Sequence, residues 1–181
     1  MALPSNARKV FEGVMFNVYQ WDQEQFDGSF KVFEAVERKP SVQIIATHKD
    51  KIVLLEEEQP FIGKFSALPG GVCESLNPES DARRELEEET GLTSSDVFLW
   101  KKTDFSSKVV WNTYYFIMRD CTKTSVPNLD SGEKISVSFL SFKEFIDKVL
   151  SKDFRNKEFA NMILLMLYEN SLDDFEKLLF V

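Results

Sequence analysis

Alternating apolar and polar positions predict strands along most of the first 140 residues. Residues 10–21 alternate loosely, and Asp27-Gly28 is a typical hairpin turn that leads into a second alternating run at residues 30–36. This part of the chain predicts an N-terminal antiparallel strand pair. Further strands are expected at residues 42–46, 52–55, 97–100, 109–118 and 135–140, with a loop over residues 59–69.

The clearest helix signal lies in the middle of the chain. Asn77 suits the N-cap, Pro78 suits the first helical position, and Gly91 suits the left-handed position just past a helix end. These three residues predict a helix over residues 78–90.

Two more helical regions follow the strands. Ser141 and Glu144 form a capping-box pair that predicts a helix through about Leu150. Residues 156–181 have helical periodicity with a break near Ser171. Runs of strands that precede helices favour a mixed α+β fold over alternating βαβ units.

The composition limits the class of protein. With 181 residues, of which 43% are apolar, the chain is expected to fold as a single domain over residues 1–181. A formal net charge of −8 argues against a nucleic-acid polymer as partner, because phosphates attract basic surfaces. No apolar run is long enough for a signal peptide or a membrane span, so we expect a cytoplasmic protein without a membrane partner. His48 is the one histidine, which excludes a multi-histidine zinc site.

The predicted central helix carries paired acidic side chains. Glu85 and Glu89 are four residues apart and point partly inward, beside an apolar stripe of Ala82 and Leu86. Like charges at that spacing repel each other, and partial burial raises the cost unless a cation joins them. Mg²⁺ or Mn²⁺ suits such oxygen ligands. An ordinary Glu-rich surface helix is the alternative interpretation.

A glycine turn ahead of the helix favours the metal-binding interpretation over the surface-helix interpretation. Gly70-Gly71 allows backbone groups to approach an ion or a phosphate closely. Residues 68–71 and 84–92 together resemble the signature of the Nudix hydrolases. The second half of that signature is Arg-Glu-aliphatic-any-Glu-Glu-any-Gly-aliphatic, and it matches at every fixed position: Arg84, Glu85, Leu86, Glu88, Glu89, Gly91 and Leu92.

The first half of the signature departs from the family pattern. Leu76 stands where the family has a Glu that pairs with the signature arginine, and the loop is one residue shorter than usual. Glu74, Glu79 or Glu88 could pair with Arg84 instead.

The resemblance implies a fold, a reaction and a cofactor. The Nudix fold is α+β, a mixed β-sheet sandwiched between helices. It divides this chain into an N-terminal strand extension (about 1–40), a core (41–155) and a C-terminal helical segment (156–181). The reaction is hydrolysis of the pyrophosphate bond in a nucleoside diphosphate joined to another group, with Mg²⁺ or Mn²⁺ as the cofactor.

The resemblance assigns site roles to the residues of this chain that match the family motif. Glu85 and Glu89 would be the principal metal ligands, with Glu88 as a further ligand and a backbone carbonyl of the turn, Gly70, completing the site. Glu133, just ahead of the last predicted strand, is the candidate general base, and Glu89 is the second candidate. Glu88 is also counted among the candidate catalytic residues.

Four residues are candidates for substrate binding: Arg84, Gly71, Trp111 and Arg38. Trp111 could stack on a base or a sugar, and Arg38 could bind phosphate. The alternatives are an aromatic side chain packed in the sheet and a solvated cation.

Within the family the chain resembles the ADP-ribose and nucleotide-sugar branch, since a strand pair precedes the core. The branch implies a small-molecule nucleotide substrate and a homodimer. A proline typical of many ADP-ribose hydrolases is absent, and Ser106, Ser107 and Lys108 occupy that stretch. A nucleoside triphosphate or dinucleoside polyphosphate pyrophosphohydrolase, and a non-catalytic nucleotide-binding module, therefore stay open as alternatives.

Overall fold

The computed structural model of the protein describes residues 3–106, 108–129, 131–132 and 134–180. The strands are β1 (Arg8–Glu12), β2 (Asn17–Glu24), β3 (Phe30–Glu37), β4 (Ser41–His48), β5 (Lys51–Gln59), β6 (Gly63–Ala67), β7 (Leu92–Thr93), β8 (Asp96–Ser106), β9 (Val109–Arg119), β10 (Thr122–Lys123) and β11 (Lys134–Leu140). The helices are α1 (Pro78–Thr90), α2 (Phe142–Val149), α3 (Lys157–Glu169) and α4 (Leu172–Leu179). Within these ranges no helix has the length and apolar character needed to cross a membrane.

One mixed sheet organises the fold. Its strand order is β1-β2-β3-β9-β4-β5-β11, while β6 also pairs with β5 and β8 with β9. β9 runs parallel to β3 and β4, and the other pairs are antiparallel. The short strands β7 and β10 pair separately.

Alternation along β4 and β9 builds one apolar cluster on each face of the sheet. Val42 and Ile44 point to the face where α1 packs through Ala82 and Leu86. On the opposite face Ile45 packs with a cluster of side chains from α2, α3 and α4. The sheet therefore lies between α1 and the other helices, as the resemblance implied.

Both ends of α1 follow the sequence signals. The Asn77 side chain accepts hydrogen bonds from the backbone N–H groups of Glu79 and Ser80. Gly91 has φ +72°, and its N–H donates to the Glu87 carbonyl at 2.7 Å. The prediction of a helix over residues 78–90 is confirmed.

The later helices also match. Ser141 and Glu144 form a reciprocal capping box at the start of α2, and the chain breaks between α3 and α4 at Asn170-Ser171. Asn170 has a left-handed backbone there, which ends α3.

One strand prediction and one loop prediction were wrong in detail. Residues 10–21 form two strands, because the chain reverses where the Gly13 N–H donates to the Phe16 carbonyl. The N-terminal extension is thus three antiparallel strands rather than a pair. Residues 59–69 contain β6, a strand that exists through its pairing with β5 and is too short to show in its own pattern. The predicted strand at 97–100 is part of the longer β8.

Candidate functional site

The glycine turn is tied to both β4 and α1. Gly70 has φ +148°, and a Cβ there would collide with the Val42 carbonyl oxygen and lie 3.0 Å from the Gln43 Cα. Its N–H donates to Glu89 Oε2 at 2.8 Å. Only glycine fits here, because the turn must pass close to β4 while it meets the helix.

The second glycine of the turn faces the other acidic side chain. A Cβ on Gly71 would lie 2.5 Å from the Glu85 Cδ, so the Glu85 carboxylate packs against the bare backbone. Glu89 is buried, at 7% relative exposure. The two carboxylates that the sequence pairs on α1 therefore reach one turn, from consecutive turns of the helix.

Arg84 holds the acidic face of α1 together. Its guanidinium donates to Glu88 Oε2 at 2.6 Å and to Glu85 Oε1 at 2.8 Å. Burial alone would lower the pKa of Arg84, but Glu85 and Glu88 outweigh it and raise that pKa. Of the three predicted partners of Arg84, the structure brings Glu88 to it, while Glu79 pairs with Arg83 instead.

Asp81 anchors the loop in which Leu76 stands at the position of the family's signature Glu. Its carboxylate, 3% exposed, accepts the N–H groups of Glu74 and Ser75 and the Ser75 hydroxyl at 2.9 Å. Its Oδ1 also lies 3.8 Å from the Arg84 guanidinium. The Leu76 side chain, in contrast, is fully exposed. The carboxylate that orders this loop thus comes from the helix rather than from the loop itself.

Sequence reasoning did not single out Asp81, although a signal existed. Asp81, Glu85 and Glu89 follow one another at intervals of four residues, so they share one face of α1. Extending the carboxylate pair by one helical turn finds the third member.

A cavity of about 450 Å³ opens at this turn. Gly70, Gly71 and Glu89 line one part of it, and polar side chains of β4 and β9 line another. The Trp111 indole N–H donates to the Ser41 hydroxyl at 3.0 Å, which fixes the ring in the cavity wall.

The Arg38 guanidinium lies over the Trp111 ring. The guanidinium carbon of Arg38 lies 4.3 Å from the ring centroid. The structure therefore brings three of the four predicted substrate-binding residues, Gly71, Trp111 and Arg38, to one cavity. Arg84 lies apart from its lining and is engaged by carboxylates.

Of the predicted site residues that the structure describes, Glu85 and Glu88 are not part of the cavity lining. Glu88 is partly exposed beside Arg84 and is not part of the lining. Glu133 lies outside the described residues.

The cavity has further lining residues that the sequence did not indicate. Glu57 comes from β5, and Arg155 and Asn156 come from the segment between α2 and α3. Asn156 Oδ1 accepts the Leu68 N–H at 2.9 Å and its amide donates to Gln43 at 2.5 Å, which fastens that segment to the glycine turn and to β4. No local motif marks these residues, because only the folded chain places them near residues some 90 to 110 positions away.

The donors around the turn suit a hard divalent cation. Two carboxylates, Glu85 and Glu89, lie against a glycine turn that a Cβ would fill. The carbonyls of Pro69 and Gly71 accept N–H groups of β4, whereas the Gly70 carbonyl accepts none from that strand. Across the described residues, no three His, Cys, Asp or Glu side chains already converge on one point. The fit thus rests on the carboxylates together with the backbone of the turn.

Comparison with known proteins finds matches that cover most of the chain. A family model for the NUDIX domain matches residues 37–162. The chain is 24% identical, over 172 residues and 91% of each sequence, to an ADP-ribose pyrophosphatase from Bacillus subtilis (strain 168). A crystal structure described as an ADP compounds hydrolase shares the fold with a TM-score of 0.73, at 19% identity over 92% of this chain and 93% of that one.

The fold and these similarities define an enzyme of the pyrophosphohydrolase class, which acts on acid anhydrides. The chain belongs to the Nudix family.

Proposed function

We propose that this Nudix enzyme hydrolyses the pyrophosphate bond of ADP-ribose or a nucleotide sugar with Mg²⁺ or Mn²⁺. The products would be a nucleoside monophosphate and a phosphorylated remainder. The observation that carries the proposal is the contact of Glu85 and Glu89 with the Gly70-Gly71 turn at the edge of the cavity. The names of the bacterial relative and of the structural neighbour support an ADP-containing substrate.

The cation would be held by Glu85, Glu89 and Glu88, with the Gly70 carbonyl as a fourth donor. When bound, it would offset the charge of the diphosphate and lower the pKa of an attacking water. A chain with a net charge of −8 needs such neutralisation to receive an anionic substrate.

The protein residues orient these groups. The Gly70 N–H fixes one oxygen of Glu89, and Arg84 draws Glu85 and Glu88 together. The proton of the attacking water would pass to Glu89 or to Glu133, the acidic residue just ahead of β11.

The substrate would lie along the cavity. Gly71 allows a phosphate to approach the backbone, and Arg38 supplies a cation beside the Trp111 ring. Arg84 would act on the substrate indirectly, because its guanidinium is bound by Glu85 and Glu88.

The proposal includes a cytoplasmic homodimer formed through the N-terminal strands. Phe11, Phe30 and Val32 are exposed large apolar side chains on β1 and β3. Residues 1–181 would form a single domain, since β3 pairs with β9 of the central sheet and α4 packs into the core beneath it. Light scattering of the wild-type protein and of a Phe11→Glu, Val32→Glu variant tests the dimer: the variant should be monomeric.

A hydrolysis screen with product identification tests the activity. ADP-ribose, nucleotide sugars, dinucleoside polyphosphates and nucleoside triphosphates are supplied with Mg²⁺ or Mn²⁺. We expect AMP and ribose 5-phosphate from ADP-ribose. Release of inorganic pyrophosphate from a triphosphate would instead identify the triphosphate alternative, and ADP-ribose binding without turnover would identify a binding module.

Two helix variants connect that activity to the site. Glu89→Gln should lower kcat by about 100-fold or more, because it removes a charged ligand beside the glycine turn. Glu87→Gln is the matched control, since Glu87 is exposed on the same helix, and it should stay within about twofold of wild type. Unchanged turnover in a Glu85→Gln, Glu89→Gln double variant would contradict the proposed site.

A further inference from the structure

Two arginines share the cavity at a distance from the glycine turn in sequence. Arg38 precedes β4, and Arg155 lies between α2 and α3. Each guanidinium is placed over an aromatic ring: Arg38 at 4.3 Å from the Trp111 centroid, and Arg155 at 4.7 Å from the Phe65 centroid. Arg155 Nη1 also donates to Gln59 Oε1 at 3.2 Å. These contacts limit the motion of both side chains.

In the part of the chain that the structure describes, neither guanidinium forms an ion pair with a carboxylate. Among the ion pairs of the described residues, Arg83, Arg84 and Arg119 each bind an acidic side chain, whereas Arg38 and Arg155 bind none.

The acidic side chains that line the cavity have other hydrogen-bonding partners. Glu158 accepts the Tyr115 hydroxyl at 3.1 Å, and Glu57 accepts the Gln59 amide at 3.3 Å. Among the described residues, the cavity therefore holds two guanidinium groups that form no ion pair.

The two arginines also repel each other. Burial, followed by the positive charge of Arg155, lowers the pKa of Arg38. Holding two like charges beside one cavity costs free energy, and an anion between them would offset it. Guanidinium groups present two parallel N–H donors, which match the oxygens of a phosphate.

We propose that Arg38 and Arg155 form an anion subsite that binds a phosphate group of the substrate other than the one under attack. Arg155 is then a specificity-determining residue of this chain. The proposal rests on the proposed function for the identity of the substrate. The phosphate could be the second one of the scissile diphosphate or an additional phosphate monoester, and both would meet the same two guanidinium groups.

Steady-state kinetics separate these two sources. Arg155→Gln is compared with wild type on ADP-ribose and on ADP-ribose with an extra 2′-phosphate. We expect KM to rise about tenfold or more while kcat stays within about twofold, because binding is lost without a change at the attacked phosphorus. A rise on both substrates assigns the diphosphate, and a rise on the 2′-phosphorylated substrate alone assigns the additional phosphate.

Two further variants exclude non-specific explanations. Lys152→Gln removes the same charge from an exposed side chain of the same segment, outside the cavity lining. It should leave KM within about twofold of wild type. Arg155→Lys keeps the charge but loses the paired donors, so its KM should fall between those of wild type and Arg155→Gln.

Direct binding provides a readout that needs no turnover. Calorimetry with AMP and with ribose 5-phosphate, in EDTA, should show a dissociation constant that rises about tenfold in Arg155→Gln and in Arg38→Gln. If no substrate is hydrolysed but probe binding depends on Arg155, the proposed function fails and the subsite stands. An unchanged KM together with unchanged or undetectable probe binding overturns the subsite, even where hydrolysis is normal.

Discussion

The two faces of β4 differ in their surroundings: one packs into the core against α1, and the other lines the cavity. On the α1 face, Val42 and Ile44 are fully buried against Ala82 and Leu86. On the opposite face, Ser41 and Gln43 begin as polar lining of the cavity, and Ile45 then continues into the core beneath α3. A shift of one residue along the strand changes the environment from apolar core to cavity wall.

The difference between the two faces of β4 indicates which contacts hold the glycine turn and its carboxylates in place. The carboxylates of Glu85 and Glu89 belong to the helix on the apolar face, and both contact the glycine turn that lines the cavity. Packing of α1 on one face therefore positions the carboxylates of the proposed metal site beside the cavity on the other. Variants on each side should separate stability from activity.

The largest expected effect is on the apolar face. Leu86→Ala removes a fully buried side chain of α1, and we expect the free energy of unfolding to fall by about 2–5 kcal/mol. Chemical denaturation measures it. Leu165→Ala on the exposed side of α3 is the control and should change stability by about 0.5 kcal/mol or less. Equal losses in the two variants would contradict the assigned core.

Gly71→Ala should affect activity more than stability. The new Cβ would overlap the Glu85 carboxylate, which lies at the end of a flexible side chain and can move aside. We expect metal-dependent turnover to fall by about 100-fold and the melting temperature to change little. Manganese titration should show weaker binding. Wild-type manganese affinity in this variant would show that Glu85 need not contact the turn.

Asp81→Asn tests the carboxylate that orders the loop. An amide cannot accept from all three donors of Glu74 and Ser75, so we expect a loss of about 1–3 kcal/mol in unfolding free energy. The Mg²⁺ concentration for half-maximal activity should also rise, because Arg84 loses a nearby charge. Glu79→Gln, at the exposed partner of Arg83, should change neither quantity. A similar shift in both variants would argue for a general effect of charge on α1.

The smallest effect concerns the two cysteines of the α1 face. Burial raises the pKa of Cys73 to about 11 and that of Cys121 to about 12, from an ordinary value of 9.0. The folded state keeps these protons while the unfolded state loses them, so stability should be intact below pH 9 and fall as the pH rises toward 11. Iodoacetamide at pH 8 should label the native protein much more slowly than the unfolded one. Equal labelling rates would place the thiols at the surface.

Sequence patterns predicted α1 from end to end, because Asn77, Pro78 and Gly91 act locally on the backbone. The same holds for the two carboxylates, whose spacing alone puts them on one side of the helix. β6 was missed because it forms by pairing with β5, and neither segment carries a local sequence signal for that pairing. Arg155 was missed for a related reason: long-range hydrogen bonds bring its segment to the cavity, from the Arg155 N–H to the Ser66 carbonyl and from Asn156 to Leu68 and Gln43.

The anchoring of the loop after the glycine turn has a consequence for sequence variation. Asp81 binds that loop mainly through backbone N–H groups, which every residue type except proline possesses. Ser75 is the one loop residue whose side chain also takes part. Positions 74 and 76 are therefore free to accept many side chains without moving the turn. In a library randomised at these two positions, most variants should be active. In a library randomised at Asp81, few variants should be active.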